Sequence, residues 1–133
     1  MKEHTTQIRV RYSETDTMGF VYYGNYAAYY EIGRTELMRS LGSSYRRLEE
    51  EGIMMPVINL QINYKKPAFY DDLLSIRTVV KHLTPARIIF GYEIFNEAGE
   101  LINLGETTLI FISATSKKPI RAPLWFLQLL EDE

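Results

Sequence analysis

A long amphipathic helix pattern is the feature that most limits the folds open to this chain. Its apolar or small residues recur every three or four positions and form one stripe: Tyr26, Tyr30, Gly33, Leu37 and Leu41. Asn25 is expected to cap the helix N-terminus, and Gly42 suits the position just past its end. The spacing therefore predicts one long helix with a face turned toward a core.

Alternating segments surround this helix. One runs from Gln7 to Tyr12 ahead of it, and the others follow it at about 58–64, 74–81, 88–94 and 101–114. A short polar helix is expected at 43–51, and Gly105 is expected to mark a bulge or a close approach. The tail from Pro123 to Glu133 is expected to form a short helix that docks on the body or on a second subunit. This order predicts an α+β fold, a curved antiparallel sheet of about five strands with one long helix against it.

The connection between the first strand and the helix holds a candidate site. Asp16 precedes the helix by nine residues, and Gly19 permits the tight turn that would return Asp16 to the helix N-terminus. Unpaired N–H groups and the positive end of the helix dipole stabilise negative charge there. A carboxylate beside such amides can attack a carbonyl, although an Asp near a Gly is also common in ordinary turns.

The residues from Asp16 to Glu31 resemble a known family signature. They read D-T-M-G-F-V-Y-Y-G-N-Y-A-A-Y-Y-E, which is similar to the motif of hotdog-fold acyl-CoA thioesterases of the 4-hydroxybenzoyl-CoA thioesterase type. The resemblance implies a hotdog fold, with the sheet wrapped around the central helix. It also implies that Asp16 is the catalytic carboxylate and that the backbone at Tyr23 and Gly24 polarises the thioester carbonyl.

The same resemblance implies a set of substrate-binding residues. Those near the helix N-terminus would contact the acyl group, and those near a strand turn and the C-terminal segment would contact the CoA phosphates: Gly19, Val21, Tyr22, Arg87, Lys118 and Arg121. Guanidinium groups suit phosphate, although charges of this kind are equally often solvated. Tyr22 and Tyr23 fit either an acyl pocket or simple packing. The family assembles as a homodimer, sometimes as a dimer of dimers, which implies the same here.

Composition narrows the remaining classes. The 133 residues suit a single domain over 1–133, and 46% hydrophobic with 24% charged residues is ordinary for a globular protein. The net charge of −2 argues against a nucleic-acid partner. The chain has no Cys and only two distant histidines, so we expect no metal and no cofactor. With no signal-peptide pattern and no apolar run long enough for insertion into a membrane, a cytoplasmic location is expected.

Several functional alternatives stay open at this point. The leading hypothesis is an acyl-CoA thioesterase in which Asp16 is either the nucleophile or the base that activates water. The alternatives are a non-catalytic module that binds acyl-CoA or acyl-carrier protein, and a thioesterase for acyl-carrier protein. An enoyl-CoA hydratase is disfavoured because no His lies near Asp16 in sequence. Glu14 and Glu31 are the other carboxylates near the motif.

Overall fold

A five-stranded antiparallel sheet forms the body of the protein in a computed structural model that describes residues 2–131. In chain order the elements are β1 (Glu3–Arg9), α1 (Asn25–Ser40), α2 (Tyr45–Glu50), β2 (Ile53–Met54), β3 (Val57–Tyr64), β4 (Leu73–Leu83), β5 (Arg87–Phe95), β6 (Leu101–Ile110), β7 (Ile112–Ser113) and α3 (Leu124–Leu130). The main sheet has the strand order β1-β4-β5-β6-β3, and β2 pairs with β7 in a small separate ladder. The predicted α+β architecture is confirmed. Met1, Asp132 and Glu133 of the expected 1–133 domain lie outside the described residues.

Helix α1 has the predicted length and a different N-terminal cap. It begins at Asn25, but Gly24 occupies the N-cap position. The Asn25 side chain donates instead to the carbonyl oxygen of Glu14 at 2.7 Å, so the predicted Asn25 cap is wrong. Gly42 lies just past the helix with a φ of +83°, as predicted, because this left-handed conformation strains other residues.

The buried face of α1 packs on one side of the sheet. Tyr30 stacks on Tyr92 of β5 with ring centroids 4.2 Å apart, and its hydroxyl donates to Asn103 of β6. Gly33 lets the helix backbone approach β4, where a Cβ would come within 2.9 Å of Ile76. The predicted stripe is therefore confirmed through Leu37, with Leu41 only half-buried. Tyr29 and Met38, which the stripe omitted, are buried as well.

Two strand predictions are wrong at their ends. β1 ends at Arg9, and Tyr12 begins a 3-10 turn with its side chain 77% exposed. Alternation alone missed this break, because Tyr12 has the right apolar character for a strand. The last long strand stops at Ile110, and the chain then turns at buried Phe111 to pair β7 with β2.

The C-terminal helix docks on the body, as predicted. Phe126 and Leu130 are buried, and Phe126 meets Phe111 edge-on with centroids 5.5 Å apart. The Trp125 indole N–H donates to Glu51 at 2.9 Å, which ties α3 to the end of α2. Among residues 2–131, no helix has both the length and the apolar character needed to cross a bilayer.

Strand β3 forms an edge of the sheet with little cover. It pairs only with β6, and its helix-side residues include Leu60 at 43% and Tyr64 at 50% exposure. Such an edge presents unpaired backbone groups to any strand that can reach it. β3 therefore combines an open hydrogen-bonding edge with an apolar surface.

The close approach predicted at Gly105 is confirmed, whereas the bulge is wrong because the β3–β6 register is regular there. A Cβ at this position would lie 2.5 Å from the Tyr30 hydroxyl and closer still to the Gln61 carbonyl oxygen. We expect Gly105→Ala to lower the free energy of unfolding by about 1–3 kcal/mol, because overpacking displaces the Tyr30 contact. Urea denaturation measures this loss.

Glu106→Ala is the matched control for Gly105→Ala. It changes the next residue of β6, whose surface carboxylate pairs with Lys81, and costs at most about 1 kcal/mol. Equal stability of Gly105→Ala and the wild type would contradict the steric interpretation.

Candidate active site

The loop that carries Asp16 forms a small hairpin between the 3-10 turn (Tyr12–Glu14) and α1. The Asp16 amide donates to the Phe20 carbonyl at 2.8 Å, and Thr15 pairs with Val21 in an antiparallel bridge. Gly19 turns the chain with a φ of +86°, as the sequence predicted. The hairpin therefore leads the chain from Asp16 back to the start of α1.

The Asp16 carboxylate is half-buried and partly engaged. Its Oδ1 accepts a hydrogen bond from the Met18 amide at 2.9 Å, which fixes the side chain within its own turn. Oδ2 has no hydrogen-bond partner within residues 2–131. One carboxylate oxygen is thus held and the other is left for a ligand.

Two backbone amides at the start of α1 are also unoccupied. Within the described part of the chain, the N–H groups of Tyr23 and Gly24 donate to no backbone or side-chain acceptor. The neighbouring amides of Tyr22 and Asn25 are paired, with the Glu14 and Tyr22 carbonyls respectively, each at 2.9 Å. Two free N–H groups at the positive end of a 16-residue helix suit an oxyanion.

Asp16 and Tyr23 line one open cleft of about 270 Å³. The other residues around it come from the hairpin, α1, the end of β3 and the segment that follows: Met18, Phe20, Val21, Tyr26, Tyr64, Lys65, Lys66 and Pro67. Asp16 is the only carboxylate among them. The cleft therefore combines one carboxylate, an apolar floor and two lysines.

Two tyrosines of the cleft, Tyr26 and Tyr64, have raised pKa values. Burial raises the pKa of Tyr26 to about 12, and burial also raises the pKa of Tyr64. The Tyr64 hydroxyl donates to the Tyr23 carbonyl at 3.2 Å. Asp16 is the carboxylate among the residues that line this cleft and is therefore its candidate base.

The structure brings together the sequence-predicted residues that flank the helix N-terminus. Val21 is buried in the cleft wall, and Gly19 lies at the exposed turn of the hairpin. Tyr22 and Tyr23 are exposed, with ring centroids 4.7 Å apart. The neighbouring Tyr23 phenol raises the pKa of Tyr22, with smaller contributions from burial and from the charge of Asp16. Of the predicted residues in this region, Asp16, Val21 and Tyr23 line the cleft, whereas Gly19, Tyr22 and Gly24 are not among its lining residues.

The three predicted phosphate-binding cations lie elsewhere. Arg87 begins β5 opposite Ile110, whereas the cleft lies level with Ile94, seven residues along the same strand. At 3.3 Å per residue this separation is about 23 Å. Arg121 lies beside the Arg87 end, since its neighbour Ala122 bonds Pro85, and Lys118 lies in the turn after β7. Within one protomer none of the three reaches Asp16.

Sequence reasoning missed the residues that follow β3. Lys65 and Lys66 are not among the site residues expected from the sequence, yet both line the cleft while staying exposed, and both of their amides donate to the Ile102 carbonyl. Lys66 pairs with Glu100. Their position directly after the alternating strand that ends at Tyr64 was the available signal. They add two cations to the cleft lining, one of which is already paired with Glu100.

The other carboxylates of the motif have separate environments. Glu14 is half-buried and accepts hydrogen bonds from the Arg11 amide and the Tyr29 hydroxyl. Glu31 is exposed and lines a different groove, beside Arg34 and Tyr45, between α1 and α2. In the described residues no three His, Asp or Glu side chains come together as a metal site requires.

Comparison with known proteins defines the class. The model of the thioesterase superfamily matches residues 18–103. Acyl-CoA thioester hydrolase YbgC of Escherichia coli is 32% identical over 116 residues, which cover 87% of both chains. Bacillus subtilis YneP, provisionally named an acyl-CoA thioesterase, is 39% identical over 115 residues, covering 86% of this chain and 83% of its own.

A solved structure gives the same result. A DHNA-CoA thioesterase from Staphylococcus aureus superposes with a TM-score of 0.91 at 43% identity, covering 96% of this chain and 86% of that one. The fold is that of a thioester hydrolase with the hotdog architecture. The chain belongs to the thioesterase superfamily, and the resemblance seen in its sequence is confirmed.

Proposed function

We propose that this protein is an acyl-CoA thioesterase, which converts an acyl-CoA and water into a free carboxylic acid and CoA. The observation that supports this most directly is that Asp16 shares a cleft with Tyr23, whose amide is unpaired at the start of α1, as is that of the next residue, Gly24. A thioester carbonyl placed between them would have its oxygen at the amides of Tyr23 and Gly24. Its carbon would face the free oxygen of Asp16.

The chemistry follows from this arrangement. Asp16 either attacks the carbonyl carbon directly or removes a proton from a water that does so. In both routes negative charge develops on the carbonyl oxygen, and the preorganised amides stabilise it. The tetrahedral intermediate then collapses by breaking the carbon–sulfur bond, and the thiolate of CoA leaves and takes up a proton. In the direct route the acyl group is then held as an anhydride on Asp16, and water hydrolyses this anhydride to the free acid and the restored carboxylate.

Asp16→Asn tests the central assignment. The Asn carbonyl oxygen can still accept from the Met18 amide, so the hairpin is kept while the base or nucleophile is lost. We expect kcat to fall by about 10²- to 10⁴-fold, with binding of acyl-CoA retained. The measurement is hydrolysis of short, long and aromatic acyl-CoAs, the aromatic arm being suggested by the Staphylococcus aureus relative.

Asp71→Asn provides the control, since Asp71 lies in an exposed turn and already has a left-handed φ of +68° that Asn tolerates. Full activity of Asp16→Asn would refute the mechanism. Saturable binding without hydrolysis by the wild type would favour the non-catalytic module instead. Faster cleavage of the same acyl group on carrier protein than on CoA would favour the carrier-protein thioesterase.

A homodimer accounts for the distant cations. If two copies pair through their β3 edges about a twofold axis, the strands run antiparallel, so the Val57 end of one copy meets the Tyr64 end of the other. The Arg87 end of the sheet, opposite Ile110 and near Val57, then lies beside the partner's cleft. We propose that each active site combines Asp16 from one copy with Arg87, Lys118 and Arg121 from the other.

Leu60→Asp tests the β3 interface. It places a charge on the helix-side apolar face of the edge strand, where burial against a second copy would desolvate it. We expect the wild type to sediment at about twice 15.5 kDa, or four times that mass as a dimer of dimers, and Leu60→Asp to sediment as a monomer with reduced activity. Gln61→Asp, on the opposite face at the next position, is the control. A monomeric wild type at micromolar concentration would contradict the dimer.

Reversing two of the cations tests the CoA assignment separately. We expect Arg87→Glu combined with Arg121→Glu to raise KM for acyl-CoA by about tenfold or more, because charged hydrogen bonds to phosphate are lost. KM for the same acyl group on N-acetylcysteamine, which lacks phosphates, should stay unchanged.

The double variant Arg9→Glu with Arg46→Glu changes the net charge equally at exposed positions away from this region. If both double variants raise KM for acyl-CoA alike, the effect is general electrostatics and the assignment of Arg87 and Arg121 fails.

A further inference from the structure

Glu14 connects the Asp16 hairpin to the start of α1 and lies outside the cleft. It ends the 3-10 turn two residues before Asp16, and it is absent from the residues that line the cleft. We propose that Glu14 is a positioning residue that fixes the Asp16 hairpin against the start of α1. This inference rests on the proposed thioesterase function and adds a residue to which that proposal gives no role.

The backbone carbonyl of Glu14 accepts hydrogen bonds from the residues on either side of the two free amides. It accepts the Tyr22 amide at 2.9 Å and the Asn25 side-chain Nδ2 at 2.7 Å. Tyr22 and Asn25 flank Tyr23 and Gly24 in the chain. One oxygen atom therefore restrains the short segment whose N–H groups are left for the substrate.

The carboxylate of Glu14 makes a second connection, to the helix. Its Oε1 accepts from the Arg11 amide at 2.9 Å and from the Tyr29 hydroxyl at 3.0 Å. Tyr29 is fully buried in the first turns of α1, and burial followed by the Glu14 carboxylate raises the pKa of its phenol, so Tyr29 is the donor. The Glu14 side chain thus connects the 3-10 turn to the helix through the buried Tyr29.

None of these four hydrogen bonds goes to a reacting group. They fix the position of the turn that carries Asp16. Asp16 follows Glu14 by two residues, so any movement of the turn is passed to the Asp16 carboxylate. A displacement of about 1 Å between a catalytic group and its substrate lowers rates by about 10²-fold. The distance between the Asp16 carboxylate and the free amides therefore depends on Glu14.

Three variants test this role: Glu14→Ala, Glu14→Gln and Tyr29→Phe. Steady-state kinetics use the acyl-CoA that the wild type hydrolyses fastest among acetyl-CoA, palmitoyl-CoA and benzoyl-CoA, at a temperature well below the melting temperature of every variant. We expect Glu14→Ala to lower kcat by about 10²-fold with KM changed less than about threefold. Glu14→Gln keeps an acceptor oxygen for Arg11 and Tyr29, so it should stay within about tenfold of the wild type, and Tyr29→Phe should fall between the two.

Each result decides between roles. Loss of activity in Glu14→Gln as deep as in Asp16→Asn would make Glu14 a reacting carboxylate and overturn the proposal. A lower melting temperature with unchanged kcat in Glu14→Ala and Tyr29→Phe would show a purely structural residue and also overturn it. If Glu14→Ala does not fold, the other variants decide. A kcat that falls from the wild type through Glu14→Gln to Tyr29→Phe supports the proposal, and equal kcat values in all three overturn it. Absence of wild-type turnover on every acyl-CoA would instead refute the proposed function, and the role of Glu14 with it.

Discussion

The seating of α1 on the sheet is the contact on which the rest of the structure depends. Tyr30 stacks on Tyr92 and bonds Asn103, while Gly33 and Gly105 remove the side chains that would hold the helix and sheet apart. A buried aromatic stack with a satisfied hydroxyl fixes both the rotation and the height of a helix. Because the free amides of Tyr23 and Gly24 are the end of that helix, their position follows from this packing.

Glu14 and Asp16 carry the same functional group in neighbouring positions, but their surroundings give them different proposed roles. Glu14 and Asp16 are separated by one residue, yet the Glu14 carboxylate accepts from Arg11 and Tyr29 outside the cleft, whereas Asp16 lines the cleft. A carboxylate that holds two donors away from the cleft does not meet a substrate there, whereas one that lines the cleft can. Our proposal gives the first the task of setting distance and the second the task of chemistry.

The open edge of β3 is the basis for the proposal that two copies of the chain form each site together. A sheet of five strands around one helix leaves Leu60 and Tyr64 exposed along an edge strand that pairs only with β6. Within one chain the cleft at Tyr64 and the cations near Arg87 occupy opposite ends of the same sheet. An antiparallel pairing of two such edges would bring opposite ends together, so the proposed substrate contacts and the proposed dimer arise from the same geometry.

The sequence by itself determined the order of elements, the buried stripe from Tyr26 to Leu37, the turn at Gly19 and the thioesterase-superfamily motif, because periodicity and turn residues are local properties. It failed at Asn25, Tyr12 and Phe111, where capping and strand breaks depend on what lies opposite in space. Only the tertiary structure decided that Glu14 is engaged, that Lys65 and Lys66 face the cleft, and that Arg87 does not. Those facts are set by contacts between residues far apart in the chain, and one-dimensional spacing carries no record of such distances.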